Sequence, residues 1–269
     1  MTDIAMMEAR EYTFIKRRVL TLTGVDLNCY KAPQVQRRLR TYLLRSGYPN
    51  WPSLFRSIQD DESELNKLKD YLTINVTSFF RDTDKFDYLA DTILPELLSS
   101  SRKLRIWSAG CSNGHEPYTL AIMLSEASGI YNRHSILATD IDRSALAKAE
   151  AGGPYTTEEI SKVPSELLSR YFKADGDIYY TNEILRRSIT FRYHNLLADP
   201  FEQNLDLIVC RNVVIYFQAD AKRRLYQRFA GSLRPGGILF VGGTEVVPKA
   251  LDLGLEMAGI SFYRRQAGH

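Results

Sequence analysis

Apolar residues recur at helical spacing in the N-terminal part of the chain. The recurrence covers residues 12–22, then Val35, Leu39, Tyr42 and Leu43, then Leu65, Leu68 and Leu72. Strand-like alternation is weak in this part, so the pattern predicts a set of helices. The predicted breaks between them are Gly24, Gly47, Pro49 and Pro52. The spacing therefore predicts an all-helical N-terminal domain at residues 1–82.

After this part, the pattern changes to short apolar strands that alternate with helices. Residues 82–98 predict a linker helix in which Pro95 produces a kink or marks the end. Strands are predicted at residues 104–107, 135–139, 205–210 and 237–241, and helices at residues 116–127, 142–151 and 220–233. This alternation is typical of an open parallel sheet with helices on both faces. A final antiparallel strand pair that includes residues 261–264 completes the predicted fold, and the whole α/β domain is expected at residues 83–269.

One segment interrupts the alternation. Residues 154–172 predict short helices, and residues 177–195 contain apolar residues at period two, such as Ile189, Phe191 and Tyr193. We therefore expect a small antiparallel β-subdomain inserted at about residues 153–194.

Composition narrows the class of protein. Charged residues make up 25% of the chain and hydrophobic residues 44%, which are ordinary values for a globular protein. No apolar run approaches the roughly 20 residues needed to cross a bilayer, and the first residues contain no apolar signal core. We therefore expect a cytoplasmic protein. The three cysteines and four histidines show neither disulfide nor metal-ligand spacing, so we expect no metal.

The net charge of +3 is unevenly distributed. Residues 33–46 predict a helix whose apolar stripe excludes Arg37, Arg38, Arg40 and Arg45, and residues 31–45 contain no acid. These four arginines are the candidate contacts for an acidic partner, although a solvated polar face remains the alternative interpretation. The low overall charge and the lack of interleaved aromatic residues argue against nucleic acid.

A glycine-containing turn follows the first predicted strand in the segment IWSAGCSNGHEPYT. The spacing of Gly110 and Gly114 matches neither the dinucleotide fingerprint nor the phosphate-binding loop. Glu116 and Pro117 begin the following helix, where a phosphate group would require backbone donors and no nearby carboxylate. The turn therefore favours a ligand with a positive charge.

Asp140 ends the second predicted strand, at a place where an acid commonly accepts hydrogen bonds from ribose hydroxyls. A ribose, a cation and no phosphate together indicate S-adenosylmethionine and a methyltransferase. The alternative is a Rossmann-like core in which the two glycines only permit close packing.

Six motifs in order resemble those of the chemotaxis receptor methyltransferases of the CheR family. They are TINVTSFFRD, WSAGCSNGHEPYTLA, ATDID, HNL, CRNVVIYF and LRPGGILFVGGTE, and they extend over most of the chain. The resemblance implies a helical N-terminal domain followed by a Rossmann-like S-adenosylmethionine-dependent methyltransferase domain with a small β-subdomain. It also implies methylation of receptor glutamate side chains, with S-adenosylhomocysteine as the other product.

The matched motifs imply the site residues. The cofactor-binding residues implied are Asn75, Thr77, Arg81, Gly110, Glu116, Asp140, Asn195, Leu196, Arg211 and Asn212. Arg81 and Tyr216 are implied as the catalytic residues nearest the transferred methyl group. A glutamate carboxylate is already ionised at neutral pH, so this chemistry needs positioning and no general base.

His115 departs from the family pattern, which commonly has two adjacent glutamates here, so a secondary contact is in doubt. The expected partner is the cytoplasmic helical region of a methyl-accepting receptor. We expect the protein to associate with a membrane only indirectly, through that receptor, and to be a monomer. The rival hypotheses are a methyltransferase for another substrate and a non-catalytic module that senses cofactor or scaffolds signalling proteins.

Overall fold

The computed structural model describes residues 8–73, 75–101, 103–128 and 134–268. The start of the chain, where we predict no signal core, lies outside these residues, as do Ile74 of the TINVTSFFRD motif and His269. The described chain forms two compact units. The first contains residues 8–73 and 215–222, and the second contains residues 75–214 and 223–268.

The first unit is helical, as the apolar spacing predicts. Its helices are α1 (Ala9–Thr23), α2 (Ala32–Ser46), α3 (Trp51–Asp60) and α4 (Glu62–Leu72). Each helix buries one apolar stripe, which includes Ile15, Leu39, Leu54 and Leu68. Gly24 and Gly47 end α1 and α2 in the left-handed conformation, at φ +74° and +75°, which a residue without a Cβ adopts at least cost.

Helix α3 lies where the sequence predicted a break. Pro52 occupies the first turn of this helix, where the missing N–H has no intrahelical acceptor to lose. The side chain of Asn50 accepts a hydrogen bond from the Ser53 N–H at 3.0 Å and caps the helix. Pro52 therefore begins a helix here and does not interrupt one.

The second unit contains a seven-stranded sheet with the order β6-β2-β1-β7-β8-β10-β9. Its strands are β1 (Arg105–Ala109), β2 (Ser135–Asp140), β6 (Ile189–Tyr193), β7 (Leu205–Cys210), β8 (Leu233–Val241), β9 (Leu255–Gly259) and β10 (Phe262–Arg265). The strands from β6 to β8 are parallel, and β10 pairs antiparallel with β8 and β9. Strand β7 is buried along its whole length, as expected for a central parallel strand.

The helices of the second unit follow the predicted alternation. They are α5 (Thr83–Tyr88), α6 (Leu94–Ser100), α7 (His115–Ser128), α8 (Arg143–Ala151), α9 (Thr157–Ile160), α10 (Ser165–Tyr171), α11 (Glu183–Arg187) and α12 (Ala219–Ser232), the last of which begins among residues of the first unit. A π-helical turn, Leu89–Ile93, joins α5 to α6, so these three segments form one uninterrupted linker helix. This wider turn precedes Pro95, which has no N–H to donate.

A second, three-stranded antiparallel sheet confirms the predicted β-subdomain. It has the order β3-β5-β4 and consists of β3 (Tyr155–Thr156), β4 (Phe172–Asp175) and β5 (Ile178–Thr181). The structure differs from the prediction for Ile189–Tyr193, which we expected within the insertion. This segment is the edge strand β6 of the large sheet, where it pairs in parallel with β2. Period-two spacing indicates a strand but not the sheet to which that strand adds.

None of the described helices combines the length and the apolar character needed to span a membrane.

Candidate functional site

The turn between β1 and α7 requires glycine at two positions. Gly110 and Gly114 both have φ +88°, a conformation that residues with a side chain rarely adopt. A Cβ added at Gly110 would lie 2.4 Å from Cγ2 of Val213, and one added at Gly114 would lie 2.8 Å from Cβ of Ala149. Close packing and the positive φ therefore require that both positions lack a side chain, and together they fix the path of the turn.

Asp140 lies at the end of β2 beside this turn. Its Oδ2 accepts a hydrogen bond from the Ser112 N–H at 2.8 Å, and its Oδ1 accepts one from the Asp142 N–H at 2.9 Å. Burial raises the pKa of this carboxyl, and the backbone hydrogen bonds partly oppose the rise. The backbone hydrogen bonds hold the carboxylate in one orientation and leave acceptor positions on its oxygens for further donors.

Asn75 connects the start of the second unit to the same turn. Its Nδ2 donates to Oδ2 of Asp142 at 2.7 Å, and its Oδ1 accepts from the Ser112 hydroxyl at 2.6 Å. Asp142 also caps α8 through the Ala145 N–H at 3.0 Å. The sequence singled out Asn75 and Asp140, and the structure joins them through Ser112 and Asp142.

Glu116 lies in the first turn of α7. Its Oε1 accepts a hydrogen bond from the Ser108 hydroxyl of β1 at 2.8 Å, and its Oε2 lies 3.4 Å from Nη1 of Arg211. Burial raises the pKa of Glu116, while Arg211 and Ser108 act in the opposite direction. A second cation beside this carboxyl would stabilise its ionised form further.

The Arg211 side chain, only 3% exposed, holds the segment before α5. Its Nη2 donates to the carbonyl oxygen of Arg81 and to Oδ2 of Asp82, both at 2.7 Å. The guanidinium lies over the rings of Phe86 and Phe240, at 4.8 and 5.0 Å from their centroids. Arg211 therefore links Glu116 to the carbonyl oxygen of Arg81 and to the side chain of Asp82.

Arg81 occupies a constrained piece of chain. Phe80 and Asp82 on either side of it have φ +50° and +59°, which is uncommon for residues other than glycine. Its Nη1 donates to the carbonyl oxygen of Val76 at 2.8 Å, and its side chain is half-buried, as is that of Thr77. Such left-handed residues cluster at functional sites when the surrounding contacts hold them.

Asn195 and Leu196 lie in the turn after β6. The neighbouring His194 N–H donates to the carbonyl oxygen of Asp140 at 2.9 Å, so this turn adjoins the end of β2. Oδ1 of Asn195 accepts from the Leu197 N–H at 3.0 Å, and Leu196 is buried. Both residues therefore have fixed positions beside Asp140.

Tyr216 and the four arginines of α2 belong to the first unit, whereas Asn212 follows β7 in the second unit. The carbonyl oxygen of Tyr216 accepts from the Lys31 N–H at 3.0 Å. Arg37 and Arg45 are exposed on α2, and Arg40 is half-buried. Arg38 donates to the carbonyl oxygen of Tyr71, and its guanidinium lies over the Tyr71 ring, 5.0 Å from the ring centroid. Arg38 thus contributes to packing within the helical unit, which its position off the apolar stripe did not predict.

His115 has a structural environment that its sequence position did not indicate. Its side chain is fully buried, with its ring 4.8 Å from the rings of both Phe79 and Tyr155. Nε2 lies 3.1 Å from Oε1 of Glu159, and Lys148 Nζ lies 3.0 Å from the same oxygen. Burial lowers the pKa of His115, which therefore favours the neutral ring.

Several residues at this site were not singled out by the sequence analysis. They are Asp82, Ser112, Asp142, Glu159 and Glu245. Asp82 and Asp142 lie inside the motifs TINVTSFFRD and ATDID, so these motifs could have indicated them as candidate site residues. Glu159 belongs to no recognised motif, and its role depends on contacts distant in sequence.

The arrangement suits a ligand with positive charge and hydroxyl groups. Two half-buried carboxylates lie beside the carboxyl ends of neighbouring strands, where ligands bind in open α/β sheets: Asp140 ends β2, and Glu116 lies in the first turn of the helix that follows β1. In the described ranges, no group of three or more His, Cys, Asp or Glu side chains is placed to hold a metal ion.

Comparison with known proteins identifies two family models in this chain. Residues 10–73 match the all-alpha domain of the CheR methyltransferases, and residues 75–260 match the SAM-binding domain of the CheR methyltransferases. A chemotaxis protein methyltransferase of Listeria monocytogenes is 40% identical over 94% of this chain and 97% of its own length. Chemotaxis protein methyltransferase 1 of Pseudomonas aeruginosa is 36% identical over 85% of this chain and 87% of its own length.

Solved structures also match part of the chain. The crystal structure of an SAM-dependent methyltransferase from Methanosarcina mazei matches with a TM-score of 0.36 and 18% identity, and the match covers 56% of each chain.

Proposed function

The chain belongs to the CheR methyltransferase family, a family of S-adenosylmethionine-dependent enzymes of chemotaxis, and from that premise we propose its substrate. We propose that it transfers the methyl group of S-adenosylmethionine to glutamate side-chain carboxylates of chemoreceptors and forms glutamyl methyl esters. The observation that carries this proposal is the constrained Arg81, which lies between the left-handed residues Phe80 and Asp82 and whose carbonyl oxygen accepts from the same Arg211 guanidinium that pairs with Glu116.

The residues of the second unit fit S-adenosylmethionine. Glu116 and Asp140 supply carboxylates for the ammonium group and the ribose hydroxyls, in either assignment. Burial raises the pKa of both carboxyls, and a bound cation would stabilise their ionised forms. Asn195 and Leu196 would flank the adenine. The other residues proposed to contact the cofactor are Asn75, Thr77, Arg81, Gly110, Arg211 and Asn212. When bound, the sulfonium group supplies an electrophilic methyl carbon. S-adenosylhomocysteine would be the product, and the proposal requires no metal.

The proposed reaction places a modest demand on the protein. A carboxylate oxygen of the glutamate attacks the methyl carbon, the new C–O bond forms as the C–S bond breaks, and the sulfur keeps the electron pair. No proton moves, because the glutamate is already ionised near neutral pH. Alignment of the two reacting atoms is therefore the main contribution of the protein.

Arg81 is proposed to hold the incoming carboxylate. A guanidinium can donate to the oxygen that does not attack and leave the other oxygen nucleophilic. The hydroxyl of Tyr216 is proposed to orient the methyl group or the carboxylate, and this role rests on the family resemblance alone.

The proposed partner is the cytoplasmic helical region of a methyl-accepting receptor, which is rich in Glu and Gln in this family. Arg37 and Arg45 are exposed on α2 and offer positive charge to such a surface. Arg40 is half-buried, and Arg38 is engaged with Tyr71, so both would contribute less to this contact.

The proposal predicts base-labile methylation. Protein incubated with S-adenosylmethionine carrying a labelled methyl group and a receptor cytoplasmic fragment should transfer label to that fragment. Mild alkali should then release the label as volatile methanol, because an ester hydrolyses where a methylamine does not. Arg81→Ala should lower kcat by about 100-fold or more, a much larger effect than its loss of S-adenosylhomocysteine affinity, because Arg81 is only one of several proposed cofactor contacts.

The matched control is Arg192→Ala, because Arg192 pairs with Glu202 at 3.0 Å and belongs to the same unit. It should retain the wild-type rate. Label that resists alkali would indicate another substrate class, and absence of transfer with intact cofactor binding would favour a non-catalytic module. An unchanged rate in Arg81→Ala would exclude the role proposed for Arg81.

A further inference from the structure

The carboxylate of Glu245 joins two loops at the carboxyl edge of the large sheet. Its Oε2 accepts a hydrogen bond from the Asn212 N–H at 3.0 Å and another from the Gly242 N–H at 2.7 Å. Asn212 follows strand β7, and Gly242 directly follows strand β8. Glu245 is 6% exposed, so water competes little for these two bonds.

The packing around this carboxylate is tight. A Cβ added at Gly242 would lie 2.5 Å from Oε2 of Glu245 and 3.0 Å from the Asn212 nitrogen. The Glu245 N–H in turn donates to the carbonyl oxygen of Gly242 at 2.9 Å. Because Gly242 has no side chain, the Glu245 carboxylate can approach both amides.

The loop that Glu245 holds, residues 211–213, contacts three segments of the candidate site. Arg211 reaches Glu116 and the Arg81 carbonyl oxygen. Val213 packs where Gly110 has no side chain. Asn212 between them has φ +59°, an uncommon conformation that needs support from its surroundings.

We propose that Glu245 is a positioning residue for the cofactor: its carboxylate fixes the Asn212 amide and so holds loop 211–213 in the geometry that binds S-adenosylmethionine. This inference rests on the proposed function, because it assumes that Arg211 and Asn212 contact the cofactor. Glu245 itself would act through the loop and would not touch the reacting atoms.

The test compares three variants of the full chain by calorimetric titration with S-adenosylhomocysteine. Glu245→Ala should bind at least about tenfold more weakly than wild type, because it loses both charge-assisted bonds. Glu245→Gln should stay within about threefold of wild type, because one amide oxygen can still accept from both N–H groups.

Asp206→Ala is the matched structural control. Asp206 is also buried in β7, and its carboxylate accepts from the Arg105 N–H at 2.7 Å and from Nε of Arg234 at 2.6 Å. This variant should lose thermal stability, as Glu245→Ala should, yet keep wild-type affinity. Amide hydrogen exchange without ligand should show faster exchange at Asn212 and Gly242 in Glu245→Ala than in the other proteins.

Two results would overturn the inference while the proposed function stands. The first is a wild-type protein that binds S-adenosylhomocysteine and a Glu245→Ala variant that binds it within about twofold. The second is an equal loss of affinity in Asp206→Ala, which would indicate general destabilisation of the sheet. A wild-type protein that binds neither S-adenosylmethionine nor S-adenosylhomocysteine would refute the proposed function as well.

Discussion

Three carboxyl groups of the second unit have displaced pKa values for different physical reasons. Burial raises the pKa of Glu116 and Asp140, which are the residues proposed to receive a cationic ligand. Burial also raises the pKa of Glu159, but contacts with His115, the Thr156 N–H and Lys148 outweigh it and lower this pKa to about 2. Glu159 therefore stabilises the folded protein by being ionised, and it does so next to the buried His115.

The displaced pKa of Glu159 predicts a pH-dependent contribution to stability. A carboxyl group whose pKa is lower in the folded protein than in the unfolded chain stabilises the fold. The stabilisation is complete at pH values above the ordinary pKa of 4.5, and it declines as the pH falls towards about 2. Glu159→Gln should lower the free energy of unfolding by about 1–2 kcal/mol at pH 6, after allowance for solvent screening, and by less at pH 3.

Urea unfolding at a series of pH values measures this difference. Glu158→Gln is the control, because Glu158 is the exposed neighbour in the same short helix. Its unfolding should match wild type at each pH. A loss in Glu159→Gln that is as large at pH 3 as at pH 6 would contradict the ionic explanation.

At the scale of elements, the turn between β1 and α7 is predicted to tolerate no side chain at Gly110. Gly110→Ala should lower the free energy of unfolding by about 2 kcal/mol or more, because φ +88° is strained for alanine and its Cβ would overlap Val213. Gly231→Ala is the matched control, since Gly231 lies in α12 and an added Cβ there meets no atom within 4 Å.

Chemical denaturation of both variants checks this pair. Gly231→Ala should gain about 0.5–1 kcal/mol through helix propensity. If Gly110→Ala were as stable as wild type, the turn could make room for the added Cβ at no cost in free energy. That result would contradict the tight packing described between Gly110 and Val213.

The elements also show how a local signal can be misread. Pro52 and Pro95 were expected to break or bend helices. Pro52 instead lies in the first turn of α3. Pro95 follows a π-helical turn of the linker helix, which departs locally from α-helical geometry close to the place where the kink was predicted. Proline is compatible with the first turn of a helix, so its presence marks a boundary without saying on which side the helix lies.

At the scale of the whole molecule, the uneven charge predicts a salt-dependent encounter with the proposed receptor partner. Arg37→Ala and Arg45→Ala should each lower kcat/KM for a receptor fragment about two- to fivefold at low ionic strength, because both side chains are exposed on α2. The effect should shrink at high salt, and S-adenosylhomocysteine affinity should not change.

Arg56→Ala is the control for this experiment, because Arg56 is exposed on α3 of the same unit. Methylation rates at several salt concentrations provide the measurement. If Arg56→Ala reduced kcat/KM as much as the α2 variants, net charge and not the α2 surface would govern the encounter.

The amino-acid sequence alone was sufficient to predict the class of fold, the alternation of elements and the family. Apolar periodicity and glycine-containing turns act over a few residues, so four of the five parallel strands and most helices could be predicted directly. The six motifs also singled out Asn75, Glu116 and Asp140 as candidate site residues, because each motif keeps its residues at a fixed distance along the chain.

Tertiary structure decided what depends on contacts between distant segments. The β6 strand joined the large sheet because it pairs with β2, and its own alternation fits either sheet. Glu245 lies opposite Asn212 because β8 follows β7 in the sheet, and Arg211 reaches Asp82 from another part of the chain. Such pairings arise when a parallel sheet brings its strand ends together at one edge, and no spacing within a short segment encodes them.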